Sequence, residues 1–281
     1  MKSIFVTDLH GKISRYEKLF SLLQKETPDA LFIGGDILPH AMKGSDRYDD
    51  FLDDYFIPEF SELKARMGDR YPEIFLILGN DDPAIEEHKI MEAEEKGLLN
   101  YINEKKATLG EFSVFGYCFV PPTPFQLKDW EKYDVSRYVD PGCMHPDEGF
   151  RSVEPPKNLL FETIQKDLEN LTADEDLSKA VFLFHSPPYD THLDRAALDG
   201  QMIDHVPLDV HVGSIAIKRF IDERQPLVTL HGHIHESTRL TGKWKQQIGK
   251  TVAINAAHDG GQLCAVMLEL ENPGNARRLL V

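Results

Sequence analysis

Residues 227–235 read Leu-Val-Thr-Leu-His-Gly-His-Ile-His, an apolar run that stops abruptly at three histidines. Four more short apolar runs end in the same way: 3–6 before Asp8 and His10, 30–33 before Asp36, 74–78 before Asn80 and Asp81, and 180–184 before His185. Continuous apolar runs of this length are typical of strands buried on both faces of a parallel sheet. Because ligands of open α/β sheets bind beyond the carboxyl ends of such strands, the pattern predicts one crevice lined by these polar residues.

The residue types at these five strand ends point to a metal site. Asp and Asn offer oxygen and His offers nitrogen, a mixed set that suits borderline divalent transition metals. Glycines stand beside Asp36, Asn80 and His233, where they allow tight turns and close approach of a phosphate group.

Composition limits the classes of partner. The 281 residues include 31 Lys and Arg against 47 Asp and Glu, for a formal charge of −16. Such an acidic surface repels phosphate backbones, so binding to bulk nucleic acid is disfavoured. Bound cations would offset part of this charge.

Cysteine spacing and hydropathy indicate the cellular compartment. The three cysteines form no CxxC pair, which argues against a disulfide framework or a thiolate zinc site and favours a reducing compartment. The first apolar run is too short for a signal peptide, and no stretch approaches the ~18 apolar residues of a membrane span. We therefore expect a cytoplasmic protein that does not span a membrane.

The chain is expected to form one domain over residues 1–281, because no linker divides it. Residues 121–157, here called the flap, are rich in proline and carry interleaved aromatics that include Phe125, Trp130 and Tyr133. A long irregular segment in a compact domain is usually functional or mobile. The flap is therefore expected either to border the crevice, with aromatics that stack on a substrate, or to be a packed surface loop.

Two local patterns predict helix starts. Ser14-Arg15-Tyr16-Glu17 has the form of a capping box. Asp82 precedes Pro83 and is expected to cap the helix that begins there.

Taken in order, the strand-end motifs resemble the signature of the calcineurin-like metallophosphoesterase superfamily: Asp8-x-His10, Gly35-Asp36, Gly79-Asn80, His185 and Gly232-His233-x-His235. Each motif alone is weak, but five in order, each after an apolar run, are specific. The resemblance spans residues 8–235. Residues 185–236 further resemble a prokaryotic branch of Icc-related predicted phosphoesterases.

The resemblance implies a fold and a set of ligands. The fold would be an α/β four-layer sandwich of two mixed β-sheets flanked by helices. The cofactors would be two divalent transition metal ions (Mn, Fe, Zn, Ni or Co). The family pattern assigns Asp8, His10 and His235 to one ion, Asn80, His185 and His233 to the other, and Asp36 to a bridge between them.

The implied activity is dinuclear metal-dependent hydrolysis of a small phosphodiester or phosphomonoester by attack of a metal-bridging hydroxide. The expected catalytic residues are Asp36, Asn80, Asp81 and His185. One alternative is a nucleotide pyrophosphatase or cyclic-nucleotide phosphodiesterase. An alternative of another class is a non-catalytic metal-binding interaction scaffold, which would purify without near-stoichiometric metal. The oligomeric state is left open.

One position departs from the family pattern. Many members have His after Gly-Asn, read as the acid that protonates the leaving group, whereas this chain has Asp81. Because an ordinary Asp is ionised at pH 7, either the leaving group needs little help or another residue donates the proton. The candidates are His145, His192, His205 and His211.

Three further histidines carry weaker expectations. His40 is expected to be unremarkable. His231 is expected to be a satisfied buried residue, with a supporting role behind the metal ligands as the alternative. His258 either lines the site or lies in a plain loop.

Overall fold

A computed structural model describes residues 1–40, 48–155 and 157–281 of the chain. Twelve strands form two six-stranded mixed sheets, and two more form a small hairpin. The strands are β1 Lys2–Val6, β2 Ala30–Gly34, β3 Glu73–Ile77, β4 Asn100–Tyr101, β5 Lys105–Leu109, β6 Phe112–Tyr117, β7 Ala180–Phe184, β8 Met202–Ile203, β9 Val206–Pro207, β10 Val228–His231, β11 Lys245–Ile248, β12 Thr251–Asn255, β13 Cys264–Glu269 and β14 Arg277–Leu280.

The first sheet has the order β14-β13-β1-β2-β3-β4. Strands β1 to β4 run parallel, with Phe5 beside Phe32 and Phe32 beside Phe75 in register. Strand β13 pairs antiparallel with β1 and with β14. The carboxyl ends of β1, β2 and β3 therefore meet at one edge of this sheet.

The second sheet has the order β11-β12-β10-β7-β6-β5. Here β6, β7, β10 and β12 run parallel, and β5 and β11 flank them antiparallel. Phe115, Phe182 and Phe184 stack along the buried rows of β6 and β7. Each sheet thus has a parallel interior whose apolar strands are buried on both faces, as the sequence pattern predicts.

The helices are α1 Ile13–Glu26, α2 Ile57–Met67, α3 Glu87–Glu95, α4 Ile164–Thr172, α5 Ile215–Arg224 and α6 Ser237–Thr241. A π-helical turn, Leu52–Phe56, leads into α2, and Pro58 stands in the first turn of α2, where a proline is tolerated. Helix α1 buries Tyr16, Leu19 and Leu23 in the hydrophobic core, and its C-cap residue, Thr27, has left-handed backbone.

The two sheets pack against each other around β2, β3, β6 and β7. Gly116 in β6 lies at this contact, because a Cβ there would come within 2.8 Å of the Ile77 side chain and closer still to the Ile102 carbonyl. The arrangement confirms the four-layer α/β fold with two mixed sheets between helices. In the described residues, none of the helices is both long and apolar enough to cross a membrane.

Both predicted caps are wrong. Helix α1 begins at Ile13 with Lys12 as its N-cap residue, so Ser14 lies inside the first turn. The loop between β1 and α1 is held to the loop after β2 by two hydrogen bonds, from His10 N to Asp36 O and from Gly11 N to Ile37 O. These bonds fix the chain just before Lys12, so the helix begins earlier than the capping box predicts.

Asp82 caps no helix. Its carboxylate accepts the backbone N–H groups of Ile37, Leu38 and Gly79 at 3.2, 2.8 and 2.8 Å. The side chain therefore joins the loop after β2 to the loop after β3, because both loops present unpaired N–H groups to it.

The flap has no helix or strand over residues 121–155, all of which are described. Charged groups organise its interior instead. Lys128 and Glu131 form a fully buried ion pair at 2.7 Å. Asp134 accepts a hydrogen bond from Ser214 Oγ at 2.6 Å and from Ile215 N at the start of α5. These bonds fasten the flap to the second sheet's helix layer.

Candidate metal centre

The five strand-end motifs converge at the adjoining edges of the two sheets. Asp8 follows β1, Asp36 follows β2, Asn80 follows β3, His185 follows β7, and His233 and His235 follow β10. Hydrogen bonds cross between these loops: Asp8 N donates to Gly35 O at 2.9 Å, and Gly232 N donates to His185 O at 2.9 Å.

The backbone at this edge is strained. Four of the seven expected metal ligands have positive φ angles: Asp8 at 56°, His10 at 48°, Asp36 at 50° and His233 at 69°. Residues other than glycine rarely adopt this conformation, and such strain tends to persist where function requires it. Four of the ten non-glycine residues with positive φ in the described structure are thus expected metal ligands.

Two glycines leave room for the polar side chains. A Cβ at Gly79 would lie 2.3 Å from Asp36 Oδ1 and 2.7 Å from the His185 ring. A Cβ at Gly232 would lie 2.7 Å from Asp8 Oδ2. Any side chain at these positions would push a carboxylate or an imidazole out of place.

One half of the centre gathers Asp8, His10, Asp36 and His235, whose ligand-type atoms all lie within 4.8 Å of one another. His235 Nε2 is 2.9 Å from Asp8 Oδ1, and His10 Nε2 is 3.7 Å from Asp36 Oδ2. The Nε2 atoms of His10 and His235 face each other at 3.2 Å. Two imidazole nitrogens and two carboxylates thus point at a common volume.

The other half gathers Asn80, His185 and His233 against the same Asp36. His185 Nε2 lies 3.0 Å from Asn80 Oδ1 and 3.4 Å from Asp36 Oδ2. His185 Nδ1 is 2.7 Å from the Gly34 carbonyl, so that nitrogen carries the proton and Nε2 is left for a ligand. The ring of His233 lies 5.2 Å from that of His185.

The electrostatics of the centre are those of crowded buried charges. Burial opposes ionisation of both carboxylates. The neighbouring imidazole of His235 nevertheless lowers the pKa of Asp8 to about 2. The imidazole of His185 lowers the pKa of Asp36 further below its usual range. Burial also opposes protonation of His185, but Asp36 raises its pKa to about 9. For His233, burial and the charge of His185 lower the pKa to about 3.

This donor set fits metal ions. Carboxylate oxygens, an amide oxygen and imidazole nitrogens are ligands for borderline divalent cations. Asp36 faces both halves, with one carboxylate oxygen near His10 and His185. The described ion pairs join Asp8 and Asp36 only to histidines, and the buried guanidinium of Arg15 bonds the backbone carbonyl of Asp8, not its carboxylate. Bound cations would therefore offset the charge of these two buried carboxylates.

The structure adds His40, which sequence reasoning treated as unremarkable. Its ring stacks on His10 with 4.4 Å between centroids, and its Nδ1 forms an ion-pair contact with Asp81. Asp81 Oδ2 also lies 3.4 Å from His10 Nδ1. His40 follows Asp36 by four residues in the loop after β2, and no sequence motif marks it.

The described contacts of the four histidines considered as proton donors are with other residues. His145 contacts Tyr133, and His211 pairs with Asp194 at 2.8 Å. His192 is exposed, and His205 lies in the turn of the β8–β9 hairpin with φ 67°. None of their described contacts reaches an expected metal ligand.

His231 is the satisfied buried histidine that was expected by default. Its Nδ1 lies 2.9 Å from Ser186 O and its Nε2 lies 2.8 Å from Thr229 Oγ1. Burial lowers its pKa to about 3. Because both ring nitrogens have hydrogen-bond partners, neither is available to a metal.

Arg15 is a supporting residue that sequence reasoning missed. The buried guanidinium donates to the Asp8 carbonyl, and its other arm donates to the Gly260 carbonyl and, at 3.4 Å, to the His258 carbonyl. Arg15 therefore ties the loop that carries His258 to the backbone of the centre.

The flap touches the segment behind Asn80. Trp130 Nε1 donates to the Asp82 carbonyl at 2.7 Å, and Asp129 accepts the N–H of Ala84 at 2.8 Å. Trp130 and Tyr133 are buried, so they pack the underside of the flap and do not offer a stacking surface, whereas Phe125 is 55% exposed.

The family model of calcineurin-like phosphoesterases matches residues 1–237. No functionally curated protein is significantly similar in sequence.

Solved structures resemble the chain over nearly its whole length. The protein TT1561 of Thermus thermophilus has a TM-score of 0.59 at 15% identity, with 99% of this chain and 98% of that chain covered. A dimetal phosphatase from Danio rerio has a TM-score of 0.52 at 10% identity, with 95% and 92% covered. At such identities the likeness shows the fold alone. The match of the family model over most of the chain shows more: the protein belongs to the calcineurin-like phosphoesterases and is a metal-dependent phosphoester hydrolase.

Proposed function

We propose that this protein hydrolyses a small phosphodiester or phosphomonoester with two divalent transition metal ions. The observation that carries the proposal is the convergence of two ligand groups on one carboxylate. Asp8, His10 and His235 face Asp36 from one side, and Asn80 and His185 face it from the other.

The chain's residues have distinct roles in this proposal. Asp8, His10 and His235 would hold one ion, Asn80, His185 and His233 would hold the other, and Asp36 would contact both. When bound, two such ions supply an ionised water at neutral pH and stabilise the charge that develops on the phosphoryl group. Asn80 contributes a neutral oxygen, which limits the negative charge facing an anionic substrate.

The finer substrate is a matter for experiment. Metal-free protein would be reconstituted separately with Mn²⁺, Zn²⁺, Co²⁺, Ni²⁺ or Fe²⁺ and tested on aryl phosphodiesters, phosphomonoesters, cyclic nucleotides and dinucleotides. Hydrolysis that requires metal and disappears in Asp36→Asn supports the proposal. Cleavage confined to cyclic nucleotides or to pyrophosphate bonds would instead identify a cyclic-nucleotide phosphodiesterase or a nucleotide pyrophosphatase.

A non-catalytic scaffold is the contrasting possibility, and metal content together with hydrolysis separates it from an enzyme. A scaffold would bind substoichiometric metal after reconstitution, or would bind two ions and hydrolyse no phosphoester. The complete set of seven ligand-type residues supports the enzyme.

A further inference from the structure

Asp81 lies between two imidazoles at the rim of the metal centre. Its Oδ2 is 3.4 Å from His10 Nδ1 and also makes the ion-pair contact with His40 Nδ1. The carboxylate side chain is 30% exposed, but its Oδ2 atom is buried. The position of residue 81 does not depend on this side chain, because its backbone N–H donates to Asp36 Oδ1 at 2.9 Å.

The contact bears on the tautomer of His10. The Nδ1 atom of His10 is buried, and the Asp81 carboxylate is the polar group that it faces. Neither His10 Nδ1 nor Asp81 Oδ2 has a hydrogen-bond partner among the described residues, and because a carboxylate only accepts, a proton on Nδ1 is the state in which the two atoms can pair. Nε2 is then free of a proton and points toward His235 Nε2 and Asp36 Oδ2.

Two of the four expected imidazole ligands, His10 and His185, thus face different acceptors with Nδ1. His185 has the Gly34 carbonyl at 2.7 Å from its Nδ1, whereas His10 has the Asp81 carboxylate. Acceptors behind a metal-bound histidine fix its ring and raise its basicity, and an anionic acceptor does so more strongly than a neutral one. His40 completes the support, since its ring stacks on His10 and contacts the same carboxylate.

We infer that Asp81 is a positioning residue that orients His10 toward the ion held with Asp8 and His235. This inference rests on the proposed function and deepens it. It gives Asp81 a reason to stand where other family members have histidine: the carboxylate works through His10 and need not donate a proton.

The test is the metal affinity of the Asp81→Asn variant, which keeps the size of the side chain and removes its charge. Mn²⁺ would be titrated into metal-free protein, and free Mn²⁺ would be followed by electron paramagnetic resonance. We expect the wild type to bind two ions and the variant to bind one of them roughly tenfold to a hundredfold more weakly, with the other unchanged. Asp190→Asn is the matched control, because Asp190 contacts His211 at 3.6 Å and is 75% exposed.

A second measurement does not depend on any variant. In Zn²⁺-loaded wild type, nitrogen NMR of the imidazoles should find the proton of His10 on Nδ1. A His10 ring with its proton on Nε2 would overturn the inference.

The outcomes separate this inference from the proposed function. A wild type that binds no ion overturns both. Unchanged affinity for both ions in Asp81→Asn overturns the inference alone, as does an equal loss at both sites. Asp81 with His10 and His40 could also form a separate three-ligand site. A third ion in the wild type that is lost in the variant would make Asp81 a ligand and would likewise overturn its positioning role.

Discussion

The metal centre and the interior of the flap both bury charged side chains, but they neutralise them differently. In the flap, Lys128 donates to Glu131 and to the Thr123 carbonyl, and Glu131 accepts the Thr123 N–H. At the centre, the ion-pair contacts of the Asp8 and Asp36 carboxylates are with imidazoles, and two of those imidazole nitrogens point at each other.

This difference separates buried charges that stabilise the fold from buried charges that form a ligand-binding site. A buried charge whose partners all come from the chain itself stabilises or organises the fold. A buried cluster in which carboxylates and imidazoles converge, with no Lys or Arg bonded to the carboxylates, is the arrangement expected of a metal site. The two regions should therefore respond in opposite ways to substitution.

The largest effect is expected for Asp36→Asn. Removing the charge that faces both ligand groups should abolish stoichiometric metal binding. Turnover should fall roughly a hundredfold or more, because metal ions contribute several kcal/mol to transition-state stabilisation and about 1.4 kcal/mol is tenfold in rate. Elemental analysis and hydrolysis of an aryl phosphodiester check this, with Asp190→Asn as the control. Full metal content in Asp36→Asn would contradict the role of Asp36.

The converse effect is expected for Lys128→Met in the flap. The substitution leaves Glu131 buried without its cation, which should lower the free energy of unfolding by about 3–5 kcal/mol. Metal content per folded chain should not change. Urea unfolding measures the stability, and elemental analysis measures the metal content. Loss of metal with unchanged stability would contradict the separate roles of the two regions.

The flap should also respond to pH. Burial raises the pKa of Glu131 to about 7 from its ordinary value of 4.5, although Lys128 and Thr123 act in the opposite direction. A carboxyl with a raised folded pKa contributes stability below pH 4.5 and loses that contribution as the pH rises through about 7. Glu131→Gln should therefore flatten the change in unfolding free energy between pH 4.5 and 7, on the order of a few kcal/mol. An unchanged slope would assign the pH dependence to other groups.

The smallest effects are expected where the flap meets the loop after β3. Trp130→Phe removes the hydrogen bond to the Asp82 carbonyl and should cost about 1 kcal/mol of stability.

Phe125→Ala should change stability by less than about 0.5 kcal/mol, because the ring is exposed. If the flap shapes substrate choice, Phe125→Ala will raise KM or reorder substrates without changing metal content. Unchanged kinetics would mark the flap as a packed surface loop.

Sequence reasoning reached the fold through a local signal. Five apolar runs that end in ligand-type residues report both the parallel strands and the edge at which those strands meet, so the sequence alone suffices to group Asp8, Asp36 and His185. The roles of these residues as metal ligands remain predictions. The order of strands across the two sheets depends on long-range pairing and is not encoded in any single run.

The misses have a common physical origin. Asp82 has the sequence context of a helix cap, but its carboxylate is captured by N–H groups from a loop 45 residues away. His40 has no motif of its own, and its place beside Asp81 results from two loops meeting at the sheet edge. Contacts of this kind arise from tertiary structure, which local propensity does not report.

The central claim, that the centre is completed by two cations, is tested most directly by anomalous diffraction from crystals grown with Mn²⁺. We expect two anomalous peaks about 3.5–4 Å apart. One should contact Asp8, His10 and His235, the other Asn80, His185 and His233, and Asp36 should touch both. No peak among these residues, or a single peak bound by His40 and Asp81, would contradict the claim.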